Sequence, residues 1–141
     1  MNDLGGYTID DLQLGMVATF SKTITEADIV LFSGVSGDNN ALHTNEEFAS
    51  RTMFKGRIAH GMLSASVISA AIANKLPGPG TIYLSQNLRF RAPVRAGDTV
   101  HATVTVREVM RAKGRAVLGT ECKVGERVVV EGEALVAITA L

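Results

Sequence analysis

Cysteine occurs once in this chain, at Cys122, which excludes an internal disulfide and suits a reducing cytoplasm. Excess charge is missing too. Lys plus Arg and Asp plus Glu both number 14, with no basic tract, and that balance argues against nucleic acid as a main partner. No apolar run is long enough to span a bilayer, so no membrane is expected. The N-terminal stretch carries Asp3, Asp10 and Asp11 where a secretory signal would have a basic start and an apolar core. Repeats, low-complexity tracts and linkers are lacking. What remains is 141 residues, 46% hydrophobic and 20% charged, so one domain over residues 1–141 with its own core is expected. His43, His60 and His101 are scattered along the sequence with no Cys or second acid at ligand spacing, so no metal site is expected. The run Pro77-Gly78-Pro79-Gly80 follows a helical pattern and does not open one; no phosphate or dinucleotide loop, and no cofactor, is expected.

Hydrophobic periodicity sets out the elements. Residues 16–24 fit a first strand. Thr25-Glu26-Ala27-Asp28 has the Ser/Thr-x-x-acid form of a helix start, with Ala27, Val30 and Leu31 at helical spacing and a stop near Gly34. Residues 45–50 fit one more short helical turn. Residues 59–75 are small and apolar on nearly every side, which predicts a helix buried all round, ended by Leu76-Pro77-Gly78-Pro79-Gly80. Period-two alternation follows. Ile82, Leu84, Leu88, Phe90 and Ala92 are expected on one face of a strand that Gln86 interrupts, and Val100, Ala102, Val104 and Val106 on one face of the next. Strands over 117–124 and 127–138 complete the set, with turns at Lys113-Gly114 and Gly125-Glu126. Cys122 alternates with apolar residues and is expected to be a buried thiol. The order describes an α+β layout in which an antiparallel sheet wraps a long central helix.

The chemistry concentrates between Phe32 and Ala49, where Asp38 precedes His43 by five residues. Gly34, Gly37, Asn39 and Asn40 favour turns and positive φ, so an irregular loop is expected that aims both side chains at one small molecule. The same residues also suit a plainer role, with Asp38 and Asn40 making Asx-turns or caps and His43 at the surface.

The order of the motif narrows this choice. Asp38-x-Asn40-x-Leu42-His43, preceded by Phe32-Ser33-Gly34 and followed by Ala49, resembles the signature of the MaoC-like, or type 2, (R)-specific enoyl-CoA hydratases. The resemblance continues through Ile58-Ala59-His60-Gly61-Met62-Leu63, the segment from Gly80 to Phe90 and Pro93-Val94-Arg95-Ala96-Gly97-Asp98, running from about residue 14 to the C-terminus. One position departs: the family has Pro where this chain has Ala41, which frees φ and adds an N–H.

The resemblance implies a hot-dog fold, a cytoplasmic homodimer and reversible addition of water to trans-2-enoyl-CoA, giving (R)-3-hydroxyacyl-CoA without a cofactor. In such families this hydration can supply β-oxidation intermediates to polyhydroxyalkanoate or lipid synthesis. Asp38 and His43 would form the acid–base pair around one water. The Gly61 N–H, at a helix N-terminus with no side chain in the way, would hold the thioester oxygen as charge builds on it. Asn40 would orient the water or its partners, and Ser69 matches a serine that the family places near the site. His60 is expected to have no part in the chemistry, and Arg89 and Arg91 to lie on a solvated face. The alternatives are a hot-dog acyl-CoA thioesterase, a 3-hydroxyacyl-acyl-carrier-protein dehydratase and a non-enzymatic acyl-CoA-binding module.

Overall fold

In the computed structural model, which describes residues 1–140, the alternating segments form five antiparallel strands: β1 (Val17–Thr23), β2 (Thr81–Phe90), β3 (Thr99–Met110), β4 (Arg115–Val124) and β5 (Arg127–Ile138). Their order in the sheet is β1-β3-β4-β5-β2. Tight turns through Gly114 (φ 63°) and Gly125 (φ 59°) join β3 to β4 and β4 to β5; both positions need the left-handed backbone that glycine adopts without strain.

Alternation turns one face of this sheet inward. Val100, Ala102, Val104 and Val106 of β3 and Ala116, Leu118 and Cys122 of β4 are almost fully buried there. Helix α4 (Gly61–Asn74) covers that face with Ala65, Ile68, Ala71 and Ile72. Removing this apolar surface from water is the main force that holds helix to sheet. The layout is the expected helix in an antiparallel wrap.

Two expectations for these elements change. Helix α4 is not buried all round: Met62, Ser66, Ser69 and Ala73, at helical spacing, form an exposed stripe. Ile82 and Leu84 do not share a face with Leu88 and Phe90, because Tyr83 pairs with Val136 and Ser85 with Leu135, leaving Leu84 as the extra residue of a bulge. A bulge of this kind reverses the alternation from that point on. Gln86 keeps the face of Leu88 and points inward, where its Nε2 donates to Thr120 Oγ1 at 3.0 Å and to the Asn87 carbonyl at 2.8 Å, and its Oε1 accepts from the Tyr83 hydroxyl.

Helix α1 (Glu26–Ser36) opens with the expected capping box, Asp28 N–H donating to Thr25 Oγ1 and Thr25 N–H to Asp28 Oδ2. It runs past Gly34 to a left-handed residue at Gly37 (φ 80°). A glycine inside a helix costs only about 1 kcal/mol against alanine, whereas a helix end gains a specific closing bond, here Gly37 N–H to the Ser33 carbonyl at 2.9 Å.

Cys122 is fully buried, and burial, with a smaller contribution from Glu121, pushes its thiol up to about 12. In the unfolded chain the thiol titrates near 9, so its contribution to stability is complete below that value and is lost as pH rises from about 9 to about 12. The linkage slope is at most about 1.4 kcal/mol per pH unit. Cys122→Ala is therefore expected to flatten the alkaline fall in unfolding free energy, measured by urea titration across that range; an unchanged slope would contradict the assignment.

Candidate active site

The chain leaves α1 through a series of side-chain caps. Ser36 Oγ accepts from the Asp38 N–H at 3.1 Å, Asp38 Oδ1 from the Asn40 N–H at 3.2 Å, and Asn40 Oδ1 from the Leu42 N–H at 3.0 Å. Each bond satisfies a donor that a turn would otherwise leave open. The last caps α2 (Ala41–Thr44), a single helical turn that carries His43. The expected irregular loop is thus partly helical, with Asn40 as its cap. Ala41 is the first residue of that turn, where proline is favoured but no helical N–H bond is required. Losing the proline forfeits no hydrogen bond.

Helix α2 abuts a second single turn, α3 (Glu46–Ala49), capped by Asn45 Oδ1. Arg57 ties this region to α1, donating from Nη2 to Glu26 at 2.9 Å and lying 3.3 Å from Glu46. The resulting overhang sets His43 with its ring buried and its Nδ1 2.8 Å from the Ile58 carbonyl oxygen. A carbonyl only accepts, so Nδ1 carries a hydrogen and the neutral ring keeps a lone pair on Nε2. That nitrogen lies 4.0 Å from Asp38 Oδ2, and the Asp38 side chain is half exposed.

Asp38 and Gly61 line one cavity of about 460 Å³, a size common for small-molecule sites. Met53, Phe54, Ile58, Met62, Phe90 and Val130 give it an apolar wall. Gly61 begins α4, and among the described residues its N–H has no hydrogen-bond partner. That end of the helix dipole favours negative charge. A Cβ on Gly61 would lie 2.7 Å from two Phe90 ring carbons; the missing side chain leaves room for that ring.

The structure therefore brings Asp38 to His43 on one side and to the cavity of Gly61 on the other, whereas the Asn40 side chain is exposed and spends its Oδ1 on the cap of α2. Ser69 is apart: it lines a second cavity of about 530 Å³ with Phe32, Tyr83 and Gln86. Arg91 pairs with Glu131, and His101 meets Ser21 at the exposed edge of the sheet. His43 and His60, far apart in sequence, are not scattered in space. Their rings stack with centroids 3.9 Å apart and planes 27° apart. Asp38, His43 and His60 are the described residues whose ligating atoms come within 4.8 Å of one another, although each imidazole already gives a nitrogen to a backbone carbonyl. Sequence alone gives His60 no part in the chemistry; the fold sets it at the head of α4, directly against His43.

Comparison with known proteins adds relatives to this geometry. The model of the family described as MaoC like domain matches residues 13–128. The chain is 51% identical over 139 residues to an (R)-specific enoyl-CoA hydratase of Rhodospirillum rubrum, covering 99% of this chain and 96% of that protein. It is 34% identical to a mitochondrial 3-hydroxyacyl-[acyl-carrier-protein] dehydratase of Arabidopsis thaliana, covering 87% of this chain and 75% of the relative. Among solved structures, the unliganded R-hydratase of Pseudomonas aeruginosa superimposes with a TM-score of 0.90 at 43% identity, over 96% of this chain and 88% of that one.

Proposed function

This chain belongs to the MaoC-like domain family, and on that premise we propose that it is an (R)-specific enoyl-CoA hydratase, a hydro-lyase that adds water reversibly to trans-2-enoyl-CoA. The observation that carries the reading is the pairing of Asp38 Oδ2 with the free side of His43 Nε2, 4.0 Å apart, beside the unbonded Gly61 N–H at the wall of an apolar cavity.

The span between Oδ2 and Nε2 exceeds a direct hydrogen bond but suits one water bound by both. The acyl chain lies along the apolar wall and the thioester oxygen accepts from Gly61 N–H. The water attacks C3 while His43 Nε2 takes one of its protons, and Asp38 holds the other O–H in place. Charge gathers on the thioester oxygen, where the helix end stabilises it. The His43 imidazolium then gives its proton to C2. Net, OH is added at C3 and H at C2, and both side chains return to their starting states.

Coenzyme A is favoured over acyl carrier protein as the carrier because identity is 51% to the CoA-acting relative and 34% to the other. A homodimer is part of the reading. Ile82, Tyr83 and Leu84 on the edge strand and the Met62–Ser66–Ser69–Ala73 stripe are apolar or small and exposed in one protomer, and a second copy along that edge would cover them. Ser69 would then act near the substrate only within a groove closed by the partner. A cytoplasmic setting and a single MaoC-like unit over the chain complete the proposal; no helix among the described residues is long and apolar enough to cross a membrane.

Incubation with crotonyl-CoA and longer enoyl-CoAs is expected to remove the conjugated-thioester absorbance and to give a 3-hydroxyacyl-CoA of (R) configuration, with no accumulation of free thiol. Steady thiol release without 3-hydroxy product would replace the hydratase by a thioesterase. Tight binding without turnover would leave a binding module.

A further inference from the structure

His60 is 1% exposed, and its Nε2 lies between two oxygens, 3.0 Å from the Asp38 carbonyl and 3.1 Å from Ser33 Oγ. The carbonyl can only accept, so the hydrogen resides on Nε2. Its Nδ1 is buried without a partner, so no bond on that side favours the other tautomer. The ring face stacks on His43, and Phe32 approaches it at 4.9 Å with its plane tilted by 60°. A buried polar group with one nitrogen unsatisfied carries a cost, and its retention calls for an explanation.

We infer that His60 is a positioning residue for the acid–base pair, acting on both members at once. Through Nε2–H it holds the Asp38 peptide, and with it the start of the carboxylate's side chain. Through its ring it forms the wall that fixes the plane of the His43 imidazole and so the direction of the Nε2 lone pair. The two catalytic groups sit on an overhang made of caps and single helical turns, which tolerates drift. His60 heads α4 and transmits the rigidity of the packed core to that overhang. This inference rests on the hydratase reading for its kinetic consequence but not for its geometry.

Three substitutions and one spectrum test it. A glutamine amide reaches the place of Nε2, an asparagine amide only that of Nδ1, and phenylalanine keeps a ring without a donor. His60→Phe is expected to lower kcat by about 10- to 100-fold with KM little changed, since a displacement of about 1 Å is enough for such a loss. His60→Gln, which restores the donor but not the stacking ring, should recover part of that kcat, whereas His60→Asn should not. In the unmodified protein, ¹⁵N-detected imidazole spectra should show His60 protonated on Nε2 and His43 on Nδ1. A folded His60→Phe enzyme with full kcat, a glutamine variant no better than the asparagine one, or a His60 proton on Nδ1 would each overturn the assignment. If the phenylalanine variant fails to fold, the glutamine–asparagine pair and the spectrum decide. If the unmodified protein lacks hydratase activity, the functional reading fails, and the spectrum alone tests the geometry.

Discussion

His43→Ala is expected to lower hydration of crotonyl-CoA by about 10² to 10⁴-fold while the protein stays folded, because a positioned acid–base group typically contributes that much. The geometry explains why no neighbour should substitute. The nearest other imidazole, His60, has its Nε2–H on Asp38's backbone and its remaining nitrogen, Nδ1, buried away from solvent. Asp38→Asn should fall in the same range, since an amide keeps the shape of the carboxylate but can turn a donor toward the water that the acid only accepts from. Stopped-flow or steady-state absorbance at saturating substrate measures both. Either variant turning over at the natural rate would remove that residue from the chemistry.

Replacing Gly61 with valine should cost about 10² to 10³ in turnover, the usual loss when a carbonyl oxygen is kept from one backbone donor. The Cβ projects at Phe90, so the larger side chain fills the cavity wall where the thioester must approach. Phe90 is 54% exposed and its ring has room to move, so circular dichroism and the size of the assembly in solution are expected to stay near those of the unmodified protein. Phe90→Ala, measured alongside, separates two causes. A smaller loss in Phe90→Ala than in Gly61→Val supports the oxygen site at the Gly61 N–H. An equal loss would assign the effect to displacement of the ring, and a fully active Gly61→Val enzyme would place the oxyanion donor elsewhere.

Much of this molecule was readable from its residues because the signals were local. Alternation in β3, β4 and β5, the Thr25–Asp28 capping box and the breaker after α4 depend on neighbours within a few positions, and they appear where expected. The MaoC-like motif brought Asp38 and His43 into view for the same reason. What the sequence concealed was relational. Alternation alone does not show that Leu84 is an extra residue, since a bulge is a mismatch with the opposite strand. The composition of α4 signals burial without saying what covers each side, so the exposed stripe through Ser69 reads the same as the face against the sheet. His60 stacks on a residue seventeen positions earlier, and nothing in its own neighbourhood announces that contact.

The overhang that bears Asp38 and His43 also has a thermodynamic consequence. Its helices are single turns, and beyond the bond of His60 to the Asp38 carbonyl and the His43–His60 stack its ties to the rest of the fold are few: the Ala59 N–H to Val94 carbonyl bond at 2.6 Å, Arg57 to Glu26, and Arg95 to the carbonyls of Phe54 and Arg57. Segments held by sparse contacts open at a lower free energy than the sheets they lean on. Amide protons between Gly37 and Arg57 should accordingly exchange with solvent ahead of those in β3 and β4, and warming should silence the enzyme in a range where the strands are still paired. The lifetime of the catalyst is then set by the local melting of about twenty residues, while the sheet persists as an inactive frame on which they can close again.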